Sequence, residues 1–384
     1  APMKPLVVVQ QNRFFFFFEA TTKLNRLPLR LQSTLAVRRC AGVDCPAMAR
    51  VSERRRPVMV TVMAVAAVAT ALAACGFGPV RLGLGDLLRA LVSGPGADGG
   101  ADIPAAILWN LRLPRAMSAA VVGAVLAVAG SALQSLFRNP LADPAIIGVS
   151  MGAACGAVTG FTLLAAVPGA ASVLVLSGGL GVTFLIYQLA RLGDARRVER
   201  MLLIGIAINA MGAAYVGLIL TLGAEAYQVR RFVFWTLGSL TGSTTTTALT
   251  LLGLGGAATA WLMRRAGMLD ALLIGEAEAF ALGVPIRRAR VELLAISAVL
   301  AAACVAACGT IGFIGLVAPH IARLLVGPGH RWQLPVAALT GATLLGLADI
   351  AARTVAAPAE LQIGILTSLI GGPFFLFLIL HKQR

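Results

Sequence analysis

From Pro57 onward the chain is a series of apolar runs, each roughly 20 residues long, parted by short segments that hold most of its charge. That is the length a helix needs to cross a bilayer, and within lipid a spanning segment must satisfy all its own backbone hydrogen bonds. Together these facts restrict the chain to an all-α polytopic membrane protein. Ten transmembrane helices are predicted, over 58–76, 116–137, 145–166, 168–190, 201–223, 244–263, 291–308, 313–327, 334–354 and 362–381. Composition agrees, since 58% of the 384 residues are hydrophobic and only 12% charged, a balance outside the soluble classes. Residues 58–384 read as one transmembrane domain and 1–57 as a basic N-terminal tail.

The eighth span is short, and its approach "GTIGFIGLVAPH" is interrupted by Gly309, Gly312, Gly315 and Pro319. A bent or broken helix is expected there, and irregular backbone at membrane depth is tolerated only where it is buried in protein or lines a cavity. In the third span Gly148, Gly152, Gly156 and Gly160 recur every four residues. Such a ridge permits close helix packing and could alternatively form a substrate wall. Ahead of it, "FRNPLADPAIIG" holds Pro140 and Pro144, with Asn139 and Asp143 able to cap backbone groups. It reads as a structural turn or as a contact with a partner.

Residues 1–47 lack the charged-then-apolar order of a signal peptide, and Phe14–Phe18 is far too short to span. "MARVSERRRPVMVTVMA", from Met48, is an ordinary basic lead into a membrane helix. Residues 1–47 are therefore expected to be an added extension without a functional role, the other reading being a genuine disordered tail.

The net charge of +16 raises nucleic-acid binding, but the basic residues lie in the tail and loops without interleaved aromatics, so no nucleic-acid partner is expected. They serve orientation instead. With the tail inside, one face collects Arg138, Arg191, Arg196, Arg197, Arg200, Arg264, Arg265, Arg287, Arg288, Arg290, Arg323 and Arg331. The opposite face holds Arg81, Arg89, Arg112, Arg115, Arg230, Arg231 and Arg353. The excess predicts cytoplasmic N- and C-termini. Arg112, Arg115 and Arg353 run against that bias and could pair with carboxylates of an external partner, or meet solvent and lipid headgroups.

Acidic residues are scarce, yet "LLIGEAEAFALGVPIRR" places Glu276 and Glu278 early in a short amphipathic helix, about 270–285, in a cytoplasmic loop. A helix that rests on lipid usually has a basic polar face, so this one suits docking into a partner protein better. The energy source points the same way. The three lysines are Lys4, Lys23 and Lys382, all in the tails, so no phosphate-binding loop exists. Only Asp349 lies clearly within a predicted span, which disfavours an ion-coupled secondary transporter. No paired catalytic residues stand out at membrane depth, which disfavours an intramembrane enzyme. The six cysteines follow no zinc or redox spacing, so no metal site is assigned.

"LRLPRAMSAAVVGAVLAVAGSALQSLFRNPLADPAIIGVSMGAACG", "GEAEAFALGV", "GTIGFIGLVAPHIARLLVGPGHRWQLPVAALTGATLLGLADIAAR" and "AELQIGILTSLIGGPFF" occur in this order from about residue 57 to the end. In these motifs the chain strongly resembles the permease subunits of type II ABC importers for ferric siderophores, heme and vitamin B12, and looks most like the heme branch. The resemblance implies a bacterial inner-membrane protein with an inverted repeat of helices 2–5 and 7–10, working as a homodimer. It implies two cytoplasmic ATPase subunits, which hold ATP and Mg, and one periplasmic substrate-binding protein. No cofactor is expected on this chain, and heme is the transported substrate, with a ferric siderophore or vitamin B12 as the alternatives. Carried over by motif, Glu276, Ala277, Glu278, Leu282 and Gly283 would couple to the ATPases, and Arg112, Arg115 and Arg353 would dock the binding protein. Val198 and Glu199 match the cytoplasmic gate, although the charge of Glu199 departs from the small polar residues usual there. Asn209 and Met211 are candidates for lining the path, and His320 and Met151 join Met211 as intramembrane groups able by type to meet iron. Gln362 stands where the family usually has proline, which should soften the turn before the last helix.

Overall fold

The computed structural model describes residues 55–381 apart from 79, 81, 95–102 and 192–196. The tail to Arg54, and with it the expected extension over 1–47, lies outside the described residues. The helices in chain order are α1 (Arg55–Gly76), α2 (Leu84–Ser93), α3 (Ile103–Ile107) and α4 (Leu113–Leu136), the last two joined by a π-helical turn over Leu108–Arg112. A 3-10 turn at Pro144–Ile147 leads into α5 (Val149–Thr162), followed by α6 (Ala170–Ala190), α7 (Arg197–Leu222), α8 (Ala226–Thr236) and α9 (Thr245–Arg264). Then come α10 (Ala266–Ile274), α11 (Glu276–Ala281), α12 (Ile286–Cys308), α13 (Ile314–Val326), α14 (His330–Thr354) and α15 (Ile363–His381).

The ten predicted spans fall on α1, α4, α5, α6, α7, α9, α12, α13, α14 and α15. Among the described residues seven of these are long and apolar enough to cross a membrane, and α5, α13 and α15 are shorter apolar helices. The third span is the clearest departure. Its prediction ran over 145–166, but α5 has only 14 residues, because Gly148 at its N-cap takes a φ of +80° and residues 163–169 turn toward α6. The eighth is broken as expected. Gly309 and Phe313 both have positive φ, so α13 starts only at Ile314 and runs for 13 residues.

At 1.5 Å per residue, α5 and α13 each cover roughly two-thirds of a hydrocarbon core about 30 Å thick. Both begin inside the bundle after a stretch of chain that turns back into it, and both start on a left-handed residue, Gly148 and Phe313. This is one sign of the inverted repeat, and the packing partners give another. Matching α4–α7 with α12–α15, the pairs α5/α6, α4/α14, α4/α13, α5/α7 and α6/α7 have counterparts in α13/α14, α12/α6, α12/α5, α13/α15 and α14/α15. The helices α4 and α12 pack on each other.

Helix α4 is the hub, with 78% of its apolar window buried against 11% for α1 and α7, which turn most of their surface outward. Small residues make that possible. A Cβ on Gly123 would run into the carbonyl of Gly341 on α14, and one on Gly130 into the carbonyl of Gly315 on α13, so the backbones meet directly. The ridge of α5 does the same: side chains at Gly152 and Gly156 would strike Gly178 and Leu174 of α6. The glycine ridge is thus packing between neighbours.

Candidate functional site

The two ends of the α4–α14 pair carry most of the buried polar chemistry. At one end, Pro114 starts α4 just past the π-helical turn that ends at Arg112. Arg112 turns back to the end of α1, donating to the carbonyls of Cys75 and Gly76 at 2.7 and 2.9 Å and to that of Val80. Arg115 donates to Asp349 at 2.8 Å and to Glu360 at 3.0 Å. Arg353, one turn beyond Asp349 on α14, lies 2.9 Å from its second oxygen and donates to the Ala74 carbonyl at 3.2 Å. Asp349 is 0% exposed, and two guanidinium groups face it.

The structure therefore brings Arg112, Arg115 and Arg353 together, but not as surface side chains. All three are buried and partnered within the chain, where the sequence suggested outward display. The physical reason is that α1, α4 and α14 meet there, and each orphan carbonyl or carboxylate needs a donor. The cluster still lines a recess of about 570 Å³ with Thr241, Gly242, Ser243, Thr244 and Glu360. Three guanidinium groups face two carboxylates, which leaves a positive excess at its wall. Burial pulls the Glu360 carboxyl upward, but the hydrogen bond and charge of Arg115, the Thr241 hydroxyl and the charge of Arg353 prevail and hold it below the usual carboxylate range. Arg230 and Arg231, also on the face where the charge bias predicts few arginines, lie 5.5 and 4.4 Å from the ring centres of Phe234 and Phe161.

A second cavity, about 720 Å³, lies where the two short helices begin. Asp143, Pro144 and Ser150 line it from the α5 side, and Thr310, Gly312 and Gly315 from the α13 side. "FRNPLADPAIIG" is thus a turn only in its first half. Asn139 accepts from the Leu141 N–H at 3.0 Å, while Ala142 and Ile147 are buried.

At the opposite end of the pair, the expected single helix over 270–285 is divided at Gly275 into α10 and α11. Gly275 is extended, and a side chain there would collide with the Glu278 carboxylate. Glu276 bonds to Arg290 of α12 at 2.6 Å, which ties α11 to the bundle. Gly283 closes α11 at a φ of +83°: its N–H bonds to Phe280 and that of Val284 to Ala279, a Schellman turn that only glycine enters without strain. Ala277, Glu278 and Gly283 are exposed, with Phe280 at 72% and Leu282 at 62%. Two large apolar side chains are thus displayed beside two carboxylates.

Val198 and Glu199 fall in the first turn of α7, and their side chains lie outside the described residues. Met211 is exposed and Asn209 half-buried on the same helix. Gly212 brings α7 against Met151 of α5. No group of three or more His, Cys, Asp or Glu able to hold a metal occurs among the described residues. Gln362 does precede the last helix, and its side-chain oxygen is buried without a hydrogen-bond partner.

Sequence reasoning missed two features. Glu360 was not singled out, although a carboxylate so close to a helix start was a usable signal. Nor were Asp270, His330 and Ser135, which meet at the α11 end. Ser135 and His330 are 195 residues apart, so no local pattern joins them.

Comparison with known proteins completes the picture. The hemin transport system permease protein HmuU of Yersinia pestis is 44% identical over 283 residues, covering 72% of this chain and 84% of that protein. The cobalamin import system permease protein BtuC of Halobacterium salinarum is 41% identical over 72% of this chain and 74% of its own length. The Fe(3+) dicitrate transport system permease protein FecD of Escherichia coli is 37% identical over 72% and 86%. Among solved structures, a chain from an inward-facing metal-chelate type ABC transporter superposes with a TM-score of 0.75 at 31% identity, covering 85% of this chain and 99% of that one. Residues 62–381 match the FecCD transport family, so the match reaches from α1 to the end of α15. The chain belongs to the FecCD transport family and is an ABC-transporter permease, a multi-pass protein of the inner membrane.

Proposed function

We propose that this permease imports heme, as one of two identical copies around a central path, driven by two ATPase subunits that hold ATP and Mg at the cytoplasmic face. A periplasmic binding protein delivers the substrate to the opposite face. The observation that carries the reading is α11, a short acidic helix outside the membrane core, tied to α12 through Glu276 and Arg290 and displaying Phe280 and Leu282. Among the described residues nothing covers those side chains, and a cleft on an ATPase would bury them. In this reading both termini are cytoplasmic. Glu276, Ala277, Glu278, Leu282 and Gly283 follow the ATPases as they close, and Val198 and Glu199 sit at the cytoplasmic gate. Asn209 and Met211, both on α7, are the candidates for lining the path.

On the periplasmic side the recess lined by Arg112, Arg115 and Arg353 would receive a carboxylate of the binding protein, which would compete with Glu360 for Arg115. Heme is favoured by the 44% identity to the hemin permease. A ferric chelate or cobalamin is the second reading, supported by 37% and 41% identity to permeases of those names.

The test is uptake into vesicles holding the permease, its ATPase and its binding protein, offered heme, a ferric siderophore and cobalamin in turn. Uptake of heme alone is the expected result. Uptake of only another chelate overturns the substrate, and failure of the ATPase to bind overturns the assignment of α11.

A further inference from the structure

Helix α11 is joined to α12 by residues 282–285 and by the Glu276–Arg290 pair. A further route into the bundle runs through α10, separated from α11 by Gly275 alone. On α10, Oδ1 of Asp270 accepts from both the backbone N–H of His330 at 2.9 Å and its Nδ1–H at 2.6 Å. His330 is the first residue of α14, so this carboxylate satisfies an orphan N–H of that helix and lies where the helix dipole favours negative charge. A carboxylate only accepts, which makes Nδ1 the donor to Asp270, while Nε2 on the other side of the ring lies 2.6 Å from the Ser135 hydroxyl, which also donates to the Ser131 carbonyl at 2.9 Å. Ser135 is in the last turn of α4. One imidazole therefore holds α10, α14 and α4 together.

Aspartate, histidine and serine are the residue types of a hydrolytic triad. Here the hydroxyl-bearing residue is 1% exposed and the histidine 3%, and neither lines a described cavity, so no substrate reaches them. What the arrangement provides is a mechanical link. Its far side is equally well made. Beyond Ser135 and His330, α4 and α14 touch backbone to backbone at Gly123 and Gly341, and at their other ends Asp349 binds Arg115 and Arg353. The α4–α14 pair thus forms a continuous strut from the α11 face to the recess that holds Glu360.

We propose that His330 is a positioning residue that passes displacement of α11 into the α4–α14 strut, and so to the 355–362 loop at the recess. This rests on reading α11 as the ATPase contact. The three side chains are needed for different parts of the link: Asp270 joins α10 to α14, and Ser135 adds α4.

The experiment is amide hydrogen exchange at residues 355–362 in the permease bound to its ATPase, with and without ATP and vanadate, for wild type, H330A and S135A. In wild type the nucleotide should change exchange in that loop. In H330A the ATPase should stay bound, while the nucleotide-dependent difference falls about tenfold, within the usual range of a coupling free energy. S135A should lose a smaller part of it. A folded H330A with the wild-type difference overturns the proposal, and so does a wild type that binds the ATPase without any nucleotide response at 355–362. If H330A does not fold, S135A decides by the same criterion, since removing one hydroxyl leaves the packing intact. Failure of wild type to bind an ATPase is a separate result and rejects the reading of α11 itself.

Discussion

The two ends of the α4–α14 pair handle charge in opposite ways. At the recess, Arg115 and Arg353 close around a wholly enclosed Asp349, Arg115 also reaches Glu360, and Arg112 is held by backbone carbonyls at the end of α1. At the α11 face the acidic residues stand outside, Glu278 is exposed, and apolar Phe280 and Leu282 are displayed beside it. The first arrangement holds helices together at the membrane boundary; the second leaves a surface uncovered. The difference teaches that a concentration of charge in a membrane chain can brace its helices from within while it also lines a recess. What separates the two cases is whether neighbouring helices already supply the partners.

The sharpest way to break this contrast is D349A. It leaves Arg115 and Arg353 buried without their shared counter-charge, and should cost about 3–5 kcal/mol, read as a lower melting temperature in detergent. D349N, which keeps the shape and an acceptor, should cost less. Next is G130A, whose added methyl enters the Gly315 carbonyl and must part α4 from α13, with a loss of about 1–3 kcal/mol by the same assay. An alanine at Gly372, where nothing lies within 4 Å, is the matched control and should melt like wild type.

Substitutions at the exposed end should behave differently. E278A combined with F280S should change stability by no more than about 0.5 kcal/mol, yet abolish co-purification of the ATPase. A large fall in melting temperature instead would mean that α11 braces the fold. The mildest effect concerns Glu360. Its folded-state affinity for a proton is lowered by Arg115, so its contribution to stability is complete above the ordinary carboxylate value of 4.5. It is lost as the pH falls through the lowered folded value. Melting curves of E360Q and wild type should therefore converge in acid, and a constant gap across that window would refute the ion pair as the cause.

Much of the fold was legible because membrane-spanning helices announce themselves locally. Ten apolar runs, the broken start of α13 and the packing role of Gly152 and Gly156 needed only length, composition and spacing. The shortening of α5 was missed because its apolar content does not change where Gly148 turns left-handed and the helix begins. The division of the 270–285 segment was hidden for a related reason. Gly275 is compatible with a continuing helix by pattern, and only its contact with Glu278 shows why a side chain could not stand there.

By itself the sequence determined which runs are apolar and helical enough for a bilayer and which short segments between them carry the charge. Those properties follow from solvent preference and from the reach of one residue to the next few. The tertiary structure alone decided which polar groups meet. Arg115 lies 234 positions from Asp349 and 245 from Glu360, and Ser135 lies 195 from His330. Such partners are chosen by which helix faces pack, and that choice depends on glycines where two backbones can touch. Arg115 and Arg353 thus brace helices from within as well as lining a recess, and a histidine without a local motif became the point where three helices join.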